Sequence, residues 1–189
     1  MTSPIPAVAR RLLLGLALLA VPALSPAQQI TKDRPEGQAA HAASPTTVIL
    51  VRHAERGTEP ANDPLITPEG QERAKRLVAV VKDAGVDAIL TTQFQRTKLT
   101  AQPSAEALGI TPEVVAASGQ DHPQAVARHI REKLAGRTVL VVGHSNTINA
   151  IAVALGAAHP GMIEDSVYDN LYVVTVPAEG KARIVKAKY

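Results

Sequence analysis

The stretch Val48-Ile-Leu-Val-Arg-His-Ala-Glu-Arg-Gly57 decides how the rest of the chain is interpreted. Its four consecutive apolar β-formers are typical of a strand that is buried on both faces of a parallel sheet. Arg52 and His53 follow directly, and a polar segment follows them. Open α/β sheets bind ligands just outside the carboxyl ends of their strands. A permanent cation beside an imidazole at this point therefore predicts an anion site that contains a nucleophile or a base.

Two further polar residues follow strand-like stretches in the same way. Arg96 comes after the apolar stretch 88–92, and His144 comes after the stretch 138–142 across a single glycine. If the three strands are parallel neighbours, their carboxyl ends share one edge of the sheet. The sequence then predicts that both arginines and both histidines converge in one pocket.

Strands alternate with helices along the folded part until the last two strands, which a short turn joins. This alternation predicts an α/β fold, a three-layer α/β/α sandwich with a mainly parallel central sheet. Thr67 is the expected N-cap of the first helix and Gly85 its end, while Pro103 should kink or divide the second helix. The expected strands are 46–51, 88–91, 113–116, 138–142, 171–176 and 182–188. The expected helices are 68–84, 95–108 and 146–155, together with one that Val126, Ala127, Ile130 and Leu134 mark and that Gly136 stops.

Composition excludes several classes of function. The chain has 189 residues, enough for one domain with a proper core, and no cysteine, which excludes disulfides, thiolate metal sites and a cysteine nucleophile. Aromatic residues make up only 2%, which argues against the stacking platforms of nucleic-acid-binding proteins. The formal net charge of +3 falls to +1 without Arg10 and Arg11, because 18 basic residues then face 17 acidic ones. We therefore expect no nucleic-acid partner.

The N-terminus has the pattern of a secretory signal peptide. Arg10 and Arg11 precede the apolar run Leu12–Leu24, and small residues follow up to Ala27. We expect a signal peptide over 1–27, a flexible leader over 28–45 and the folded domain over 46–189. The alternative is a retained membrane anchor, but the run is short for a membrane span and contains a proline. The protein should therefore be exported, to the periplasm or beyond, without stable membrane insertion after cleavage.

Three motifs in register resemble a known family. They are Val-Arg-His-Ala-Glu at 51–55, Gln-Arg-Thr-x-x-Thr-Ala at 95–101 and Val-Val-Gly-His-Ser-Asn at 141–146. Together they are similar to the histidine phosphatase superfamily, in its compact phosphoglycerate mutase-like branch, from Thr46 to the C-terminus. Ala54 departs from the glycine that many members carry. The resemblance implies a phosphoglycerate mutase-like fold, a small phosphorylated substrate and no metal or other cofactor.

The resemblance also implies roles for the four residues. His53 matches the nucleophile that becomes phosphorylated, Arg52 and Arg96 match the arginines that bind the phosphoryl oxygens, and His144 matches the second pocket histidine. Phosphoryl transfer depends mainly on positioning and charge stabilisation, which guanidinium donors supply. The function predicted is a phosphatase that hydrolyses phosphomonoesters through phosphohistidine. Taken singly, these residues also fit ordinary surface arginines and core or metal-binding histidines.

The general acid is less well defined by the sequence. Asp121 is the first candidate, although it also fits the N-cap of the next helix. Glu55 is the rival, with a salt bridge to Arg56 as its structural alternative, and Asp169 is a more remote choice that also fits a turn. Asn62 is a weak candidate for binding phosphate.

Other functions remain open beside the phosphatase. A mutase is less expected, because residues 96 and 144 are only 48 positions apart, which leaves little room for an enclosing insertion. A phosphohistidine-protein phosphatase is a further alternative. A non-catalytic protein that binds phosphate or a phospholigand is another, and the doubtful acid motivates it.

Overall fold

The computed structural model describes residues 44–189. The predicted signal peptide and all but the end of the predicted leader lie outside this range. None of the helices within the range is long and apolar enough to cross a membrane.

Six strands in the described range form one sheet, in the order β3-β2-β4-β1-β5-β6. The first four in this order are mutually parallel, whereas β5 is antiparallel to β1 and β6 is antiparallel to β5. The mainly parallel sheet is therefore confirmed. The strands are β1 (Thr46–Arg52), β2 (Ala88–Thr91), β3 (Glu113–Val114), β4 (Thr138–Gly143), β5 (Asn170–Val176) and β6 (Arg183–Lys188).

Four helices in the described range connect the strands: α1 (Pro68–Val81), α2 (Gln95–Leu108), α3 (His122–Lys133) and α4 (Ile148–Ala154). The hydroxyl of Thr67 accepts a hydrogen bond from the Gly70 amide, and Pro68 occupies the first turn of α1, where its missing N–H costs nothing. Gly109 ends α2 in the left-handed conformation, with φ of 66°.

The alternation of side chains along β1 separates two hydrophobic cores. Val48 and Leu50 pack with α3 and α4, whereas Ile49 and Val51 pack with α1 and α2. Because successive strand residues point to opposite faces, one apolar run serves both cores. This arrangement confirms the three-layer sandwich.

Several boundaries differ from those predicted. Strand β3 has only two residues, both exposed, because it lies at the edge of the sheet and pairs with β2 alone. Helix α1 ends at Val81 and a turn continues to Gly85. Pro103 lies inside α2 without dividing it. Helix α4 begins at Ile148, because residues 145–147 form a turn instead.

The register of the two central strands positions the candidate site. Arg52 at the end of β1 is paired with Gly143 at the end of β4. The amide of His53 donates to the Gly143 carbonyl at 2.8 Å. His53 and His144 therefore leave adjacent parallel strands at the same level, at the carboxyl edge of the sheet.

Candidate active site

The two histidines lie side by side at this edge. Their ring centroids are 5.3 Å apart, and only 4% of His53 and 8% of His144 are exposed. Arg52 ends β1 and Arg96 lies in the first turn of α2, so each side chain comes from a segment that follows or ends a central strand. The charges of both arginines contribute to lowering the pKa of both histidines.

A backbone hydrogen bond defines the proton on His53. Nδ1 of His53 lies 2.8 Å from the carbonyl oxygen of Ala54. A carbonyl oxygen only accepts, so Nδ1 carries the proton and donates it. The neutral ring therefore has its lone pair on Nε2.

Both rings are held in the neutral state. Burial lowers the pKa of His53 to about 4; the hydrogen bond to Ala54 opposes this shift, and the charges of Arg96 and Arg52 add to it. Burial is the largest cause that lowers the pKa of His144 to about 3, and the nearby His53 and Arg96 lower it further. At neutral pH the pocket thus contains two uncharged imidazoles among guanidinium groups.

Arg52 is anchored by the backbone of the segment before β5. Its Nη1 donates to the carbonyl oxygens of Glu164, Asp165 and Val167 at 3.1, 3.0 and 2.9 Å. Its guanidinium carbon lies 4.0 Å from the centroid of the Tyr168 ring. Nε of Arg52 is buried and has no hydrogen-bond partner within residues 44–189. Three carbonyls thus fix the orientation of the group while leaving a donor unused.

Arg96 is oriented by the loop before α1. Its Nη1 lies 3.7 Å from Oδ1 of Asp63, and its guanidinium carbon lies 4.3 Å from the centroid of the Phe94 ring. Asp63 also accepts from the Gln95 amide at 3.0 and 3.2 Å. As for Arg52, the described residues leave Nε of Arg96 without a partner. Two arginines with unused donors beside two neutral imidazoles make an anion site.

Buried threonines connect these side chains. The hydroxyl of Thr92 lies 3.1 Å from Nε2 of His144. The hydroxyl of Thr100 accepts from the Ala54 amide at 2.9 Å and donates to the Arg96 carbonyl at 2.7 Å. Thr100 therefore joins the segment of the proposed nucleophile to the helix that carries Arg96.

The candidate acids lie in different surroundings. Asp121 is exposed at the N-cap position of α3, and its side chain makes no capping hydrogen bond. Glu55 is bound by Arg73 through three hydrogen bonds of 2.6 to 3.0 Å, so its partner is Arg73 and not the predicted Arg56. Asp169 pairs with Lys188 at 2.6 Å. Glu55 and Asp169 are thus both engaged by cations.

Sequence reasoning missed several residues around the pocket. Asp63, which follows the predicted Asn62, contacts Arg96, while Asn62 itself is exposed. The charge of Arg56 acts on both His53 and Arg96. Nothing in the sequence around Tyr168 indicated its contact with Arg52, because the two positions are far apart in the chain. Asp63 had one usable signal, since an aspartate in a loop is a common helix cap.

The described residues contain no group of three or more histidine, aspartate or glutamate side chains that could hold a metal ion. The expected independence from metal stays a prediction about the reaction, and it needs a biochemical test.

One family model and several solved structures match this chain. A model of the histidine phosphatase superfamily (branch 1) matches residues 48–117, which include Arg52, His53 and Arg96 and end before His144. No curated protein sequence matches the chain significantly.

Solved structures extend the likeness beyond the matched segment. The protein histidine phosphatase SixA complexed with tungstate aligns with a TM-score of 0.61 at 16% identity, over 75% of this chain and 96% of that one. The mycobacterial glucosyl-3-phosphoglycerate phosphatase aligns with a TM-score of 0.55 at 14% identity, over 76% of this chain and 97% of that one. Its complex with inorganic phosphate gives a TM-score of 0.55 at 13% identity, over 76% and 96% of the two chains. At these identities the structures establish the fold, and together with the family model they confirm the resemblance recognised in the motifs.

Proposed function

On the premise that this chain has the motifs and the fold of the histidine phosphatase superfamily, we propose that it is a metal-independent phosphatase. It hydrolyses small phosphomonoesters through a phosphohistidine intermediate on His53. One observation carries the proposal. A neutral imidazole with its lone pair on Nε2 lies among two arginines and a second imidazole at the carboxyl edge of the sheet.

In the first step Nε2 of His53 attacks the phosphorus atom. The P–N bond forms as the P–O bond to the leaving group breaks, and the leaving oxygen takes the electron pair. Arg52 and Arg96 each have an unused Nε–H and further guanidinium donors for the three equatorial oxygens. Because Nδ1–H donates to the Ala54 carbonyl, the positive charge that develops on the ring faces a dipole of the correct sign.

In the second step water attacks the phosphorus of the phosphohistidine. The P–N bond breaks, its electrons return to Nε2, and the proton from water leaves with phosphate or the solvent. His53 is regenerated in the neutral form in which it started.

His144 supports the transfer as a hydrogen-bond donor to the phosphoryl group. Its pKa of about 3 describes the pocket without an anion, and a bound phosphate dianion raises that pKa by favouring the imidazolium. The Thr92 hydroxyl at 3.1 Å fixes the ring by one nitrogen. In this proposed role Nδ1, the nitrogen that Thr92 does not contact, donates to the phosphoryl group.

The first test measures phosphate release from a panel of phosphomonoesters in the presence of EDTA. Wild type should release phosphate, His53→Ala should not, and only wild type should be labelled by a substrate carrying radioactive phosphate. His129→Ala is the matched control, because His129 pairs with Glu113 outside the pocket. Undiminished labelling of His53→Ala, or activity abolished by EDTA, would contradict the proposal. Phosphate binding without turnover would favour the non-catalytic binding protein.

We also propose that Asp121 is the general acid that protonates the leaving group. Asp121 precedes His122, whose ring is buried and close enough to His144 to affect its pKa. Asp121→Asn should slow hydrolysis of an alkyl phosphate while leaving an aryl phosphate unaffected, since a phenolate needs less protonation. Asp165→Asn is the comparison variant, because it also removes a carboxylate near the pocket, one that lies 3.9 Å from Nη2 of Arg52. Equal effects of Asp121→Asn on both esters would assign Asp121 to the helix end alone.

A second candidate function is that of a phosphohistidine-protein phosphatase. Glu55 and Asp169 are engaged by cations, and Asp121 is exposed, which favours substrates whose leaving group needs little acid assistance. Phosphoimidazole is such a substrate, and SixA, whose fold this chain shares, is a protein histidine phosphatase. Faster release from a phosphohistidine peptide than from a matched phosphoserine peptide would support it.

We also propose that the protein is exported after cleavage behind Ala27. The cationic residues, the apolar run and the small residues before the cleavage point support this. Mass spectrometry of the protein recovered from outside the cytosol should give a chain that starts at Gln28. A chain that retains Met1 would contradict cleavage.

A further inference from the structure

Two of the few aromatic side chains of this protein lie at the candidate pocket and not in a core. The chain has three tyrosines, one phenylalanine and no tryptophan. Phe94 and Tyr168 belong to neither of the two large hydrophobic clusters, and both are partly exposed. Aromatic residues usually contribute most when they are packed into a core. Two of the four aromatic side chains are therefore partly exposed at one site, which suggests that they contact a ligand there.

The two rings are linked by a series of ring contacts that runs through both histidines. The centroids of Phe94 and His144 are 5.5 Å apart, those of His144 and His53 are 5.3 Å apart, and those of His53 and Tyr168 are 6.1 Å apart. Each outer ring also covers one arginine, at 4.3 Å for Phe94 and 4.0 Å for Tyr168. Each arginine thus has an aromatic ring, here called a wall, packed against it and next to one of the two histidines.

Both walls are held firmly by the backbone around them. Phe94 precedes α2, and its carbonyl accepts from the Thr97 hydroxyl at 2.8 Å and the Thr97 amide at 3.1 Å. Tyr168 follows the segment whose three carbonyls bind Arg52. A wall that is already fixed loses little entropy when a ligand packs against it.

We propose that Phe94 and Tyr168 form a subsite for a planar ring in the leaving group of the substrate. The preferred substrates are phosphate esters in which an aromatic or heteroaromatic ring is attached close to the ester oxygen. The ring packs against one or both walls while the phosphoryl group binds the arginines. This inference rests on the proposed function and adds the substrate class to it.

The discriminating experiment compares benzyl phosphate with methyl phosphate. Their alcohols have nearly equal acidity, so the difference in kcat/KM isolates the contribution of the ring. Wild type should prefer benzyl phosphate roughly tenfold, which corresponds to two aromatic contacts of ordinary strength. Phe94→Leu and Tyr168→Leu should each lower this preference about threefold, mainly through KM, and the double variant should nearly abolish it.

Two variants serve as controls. Tyr168→Phe keeps the ring and should keep the preference. Met162→Ala removes an exposed apolar side chain from the same loop region and should leave both esters unchanged, because 89% of Met162 faces solvent. Thermal unfolding of every variant identifies those that fail to fold.

The outcomes separate this inference from the proposed function. If the leucine variants slow both esters by the same factor, the rings only hold the arginines, and the subsite is excluded. If wild type hydrolyses neither ester, the proposed function fails, and the affinities for benzylphosphonate and methylphosphonate decide instead. Tighter binding of benzylphosphonate that is lost in the double leucine variant supports the subsite, whereas equal affinities overturn it.

Discussion

At the scale of single residues, His53 depends on its immediate neighbour more than on distant charges. The Ala54 carbonyl sets which nitrogen carries the proton, and the Ala54 amide is held in turn by Thr100. Burial is the main cause of the low pKa of His53. The reactivity of the proposed nucleophile is therefore a consequence of where β1 ends inside the fold.

Thr100→Val tests this dependence. The substitution keeps the shape but leaves the Ala54 amide, which is fully buried, without its acceptor. We expect a loss of about 1–3 kcal/mol in the free energy of unfolding, together with a lower kcat. Urea denaturation and steady-state kinetics measure the two effects. Thr100→Ser should behave like wild type, and an equally large loss in that variant would show that packing, not the hydrogen bond, matters.

Glu55 is close to the proposed nucleophile in sequence, but its carboxylate has a structural role because Arg73 binds it. Burial raises the pKa of Glu55, but the hydrogen bonds from Arg73 outweigh this effect and lower the pKa overall. The Glu55 carboxylate therefore stays ionised. Glu55→Gln should cost about 1–2 kcal/mol of stability, because it weakens charge-assisted hydrogen bonds in a half-buried pair. The dependence of kcat on leaving-group acidity should not change. A steeper dependence in the variant would restore Glu55 as the acid.

At the scale of elements, the first turn of α1 packs directly against the loop that follows β1. A Cβ atom at Gly70 would lie 2.6 Å from the carbonyl oxygen of Glu55 and 3.1 Å from Cβ of Ile66. The Thr67 amide also donates to the Glu55 carbonyl at 2.8 Å. The helix start thus fixes the backbone immediately after His53.

Gly70→Ala should therefore be destabilising although alanine is the better helix former. The intrinsic preference of the helix would gain about 1 kcal/mol, while the contact with backbone atoms costs about 1–3 kcal/mol and displaces the loop. Thermal unfolding should show a lower midpoint, and kcat should fall with it. Gln71→Ala at the next, exposed position is the control. A stabilised Gly70→Ala protein would contradict the close packing.

At the scale of the whole molecule, burying neutral histidines links stability to pH. In the folded state His53 has a pKa of about 4 and His144 a pKa of about 3, against a normal value of 6.5. Between pH 6.5 and these values the unfolded chain binds protons that the folded chain does not. Stability is therefore full above about pH 6.5 and falls as the pH decreases toward 4 and 3.

Urea denaturation between pH 7 and pH 5 measures this linkage. Each histidine contributes a slope of up to about 1.4 kcal/mol per pH unit. His144→Gln should lose less stability than wild type over this interval, whereas His159→Gln, at an exposed position, should follow wild type. Parallel curves for wild type and His144→Gln would contradict the burial of a neutral His144.

Much of the architecture was predictable from local pattern. The boundaries of β2 and α2 were predicted to the residue, because Gly109 and the apolar run of β2 are strong local signals. Strand β3 was predicted too long, because its length depends on its position at the edge of the sheet. Helix α4 was predicted to begin two residues too early, because the turn after His144 depends on neighbouring segments. Asp63 and Tyr168 were missed because their contacts with Arg96 and Arg52 join segments distant in the chain.

By itself the sequence determined that β1, β2 and β4 are buried strands and that their ends carry Arg52, His53, Arg96 and His144. Hydrophobic runs and residues at element ends are local properties, so no three-dimensional information was needed. Only the tertiary structure decided which nitrogen of His53 is protonated, why both histidines are neutral and which aromatic rings cover the arginines. Desolvation and directional hydrogen bonds depend on atoms brought together by packing, and these do not exist until the chain has folded.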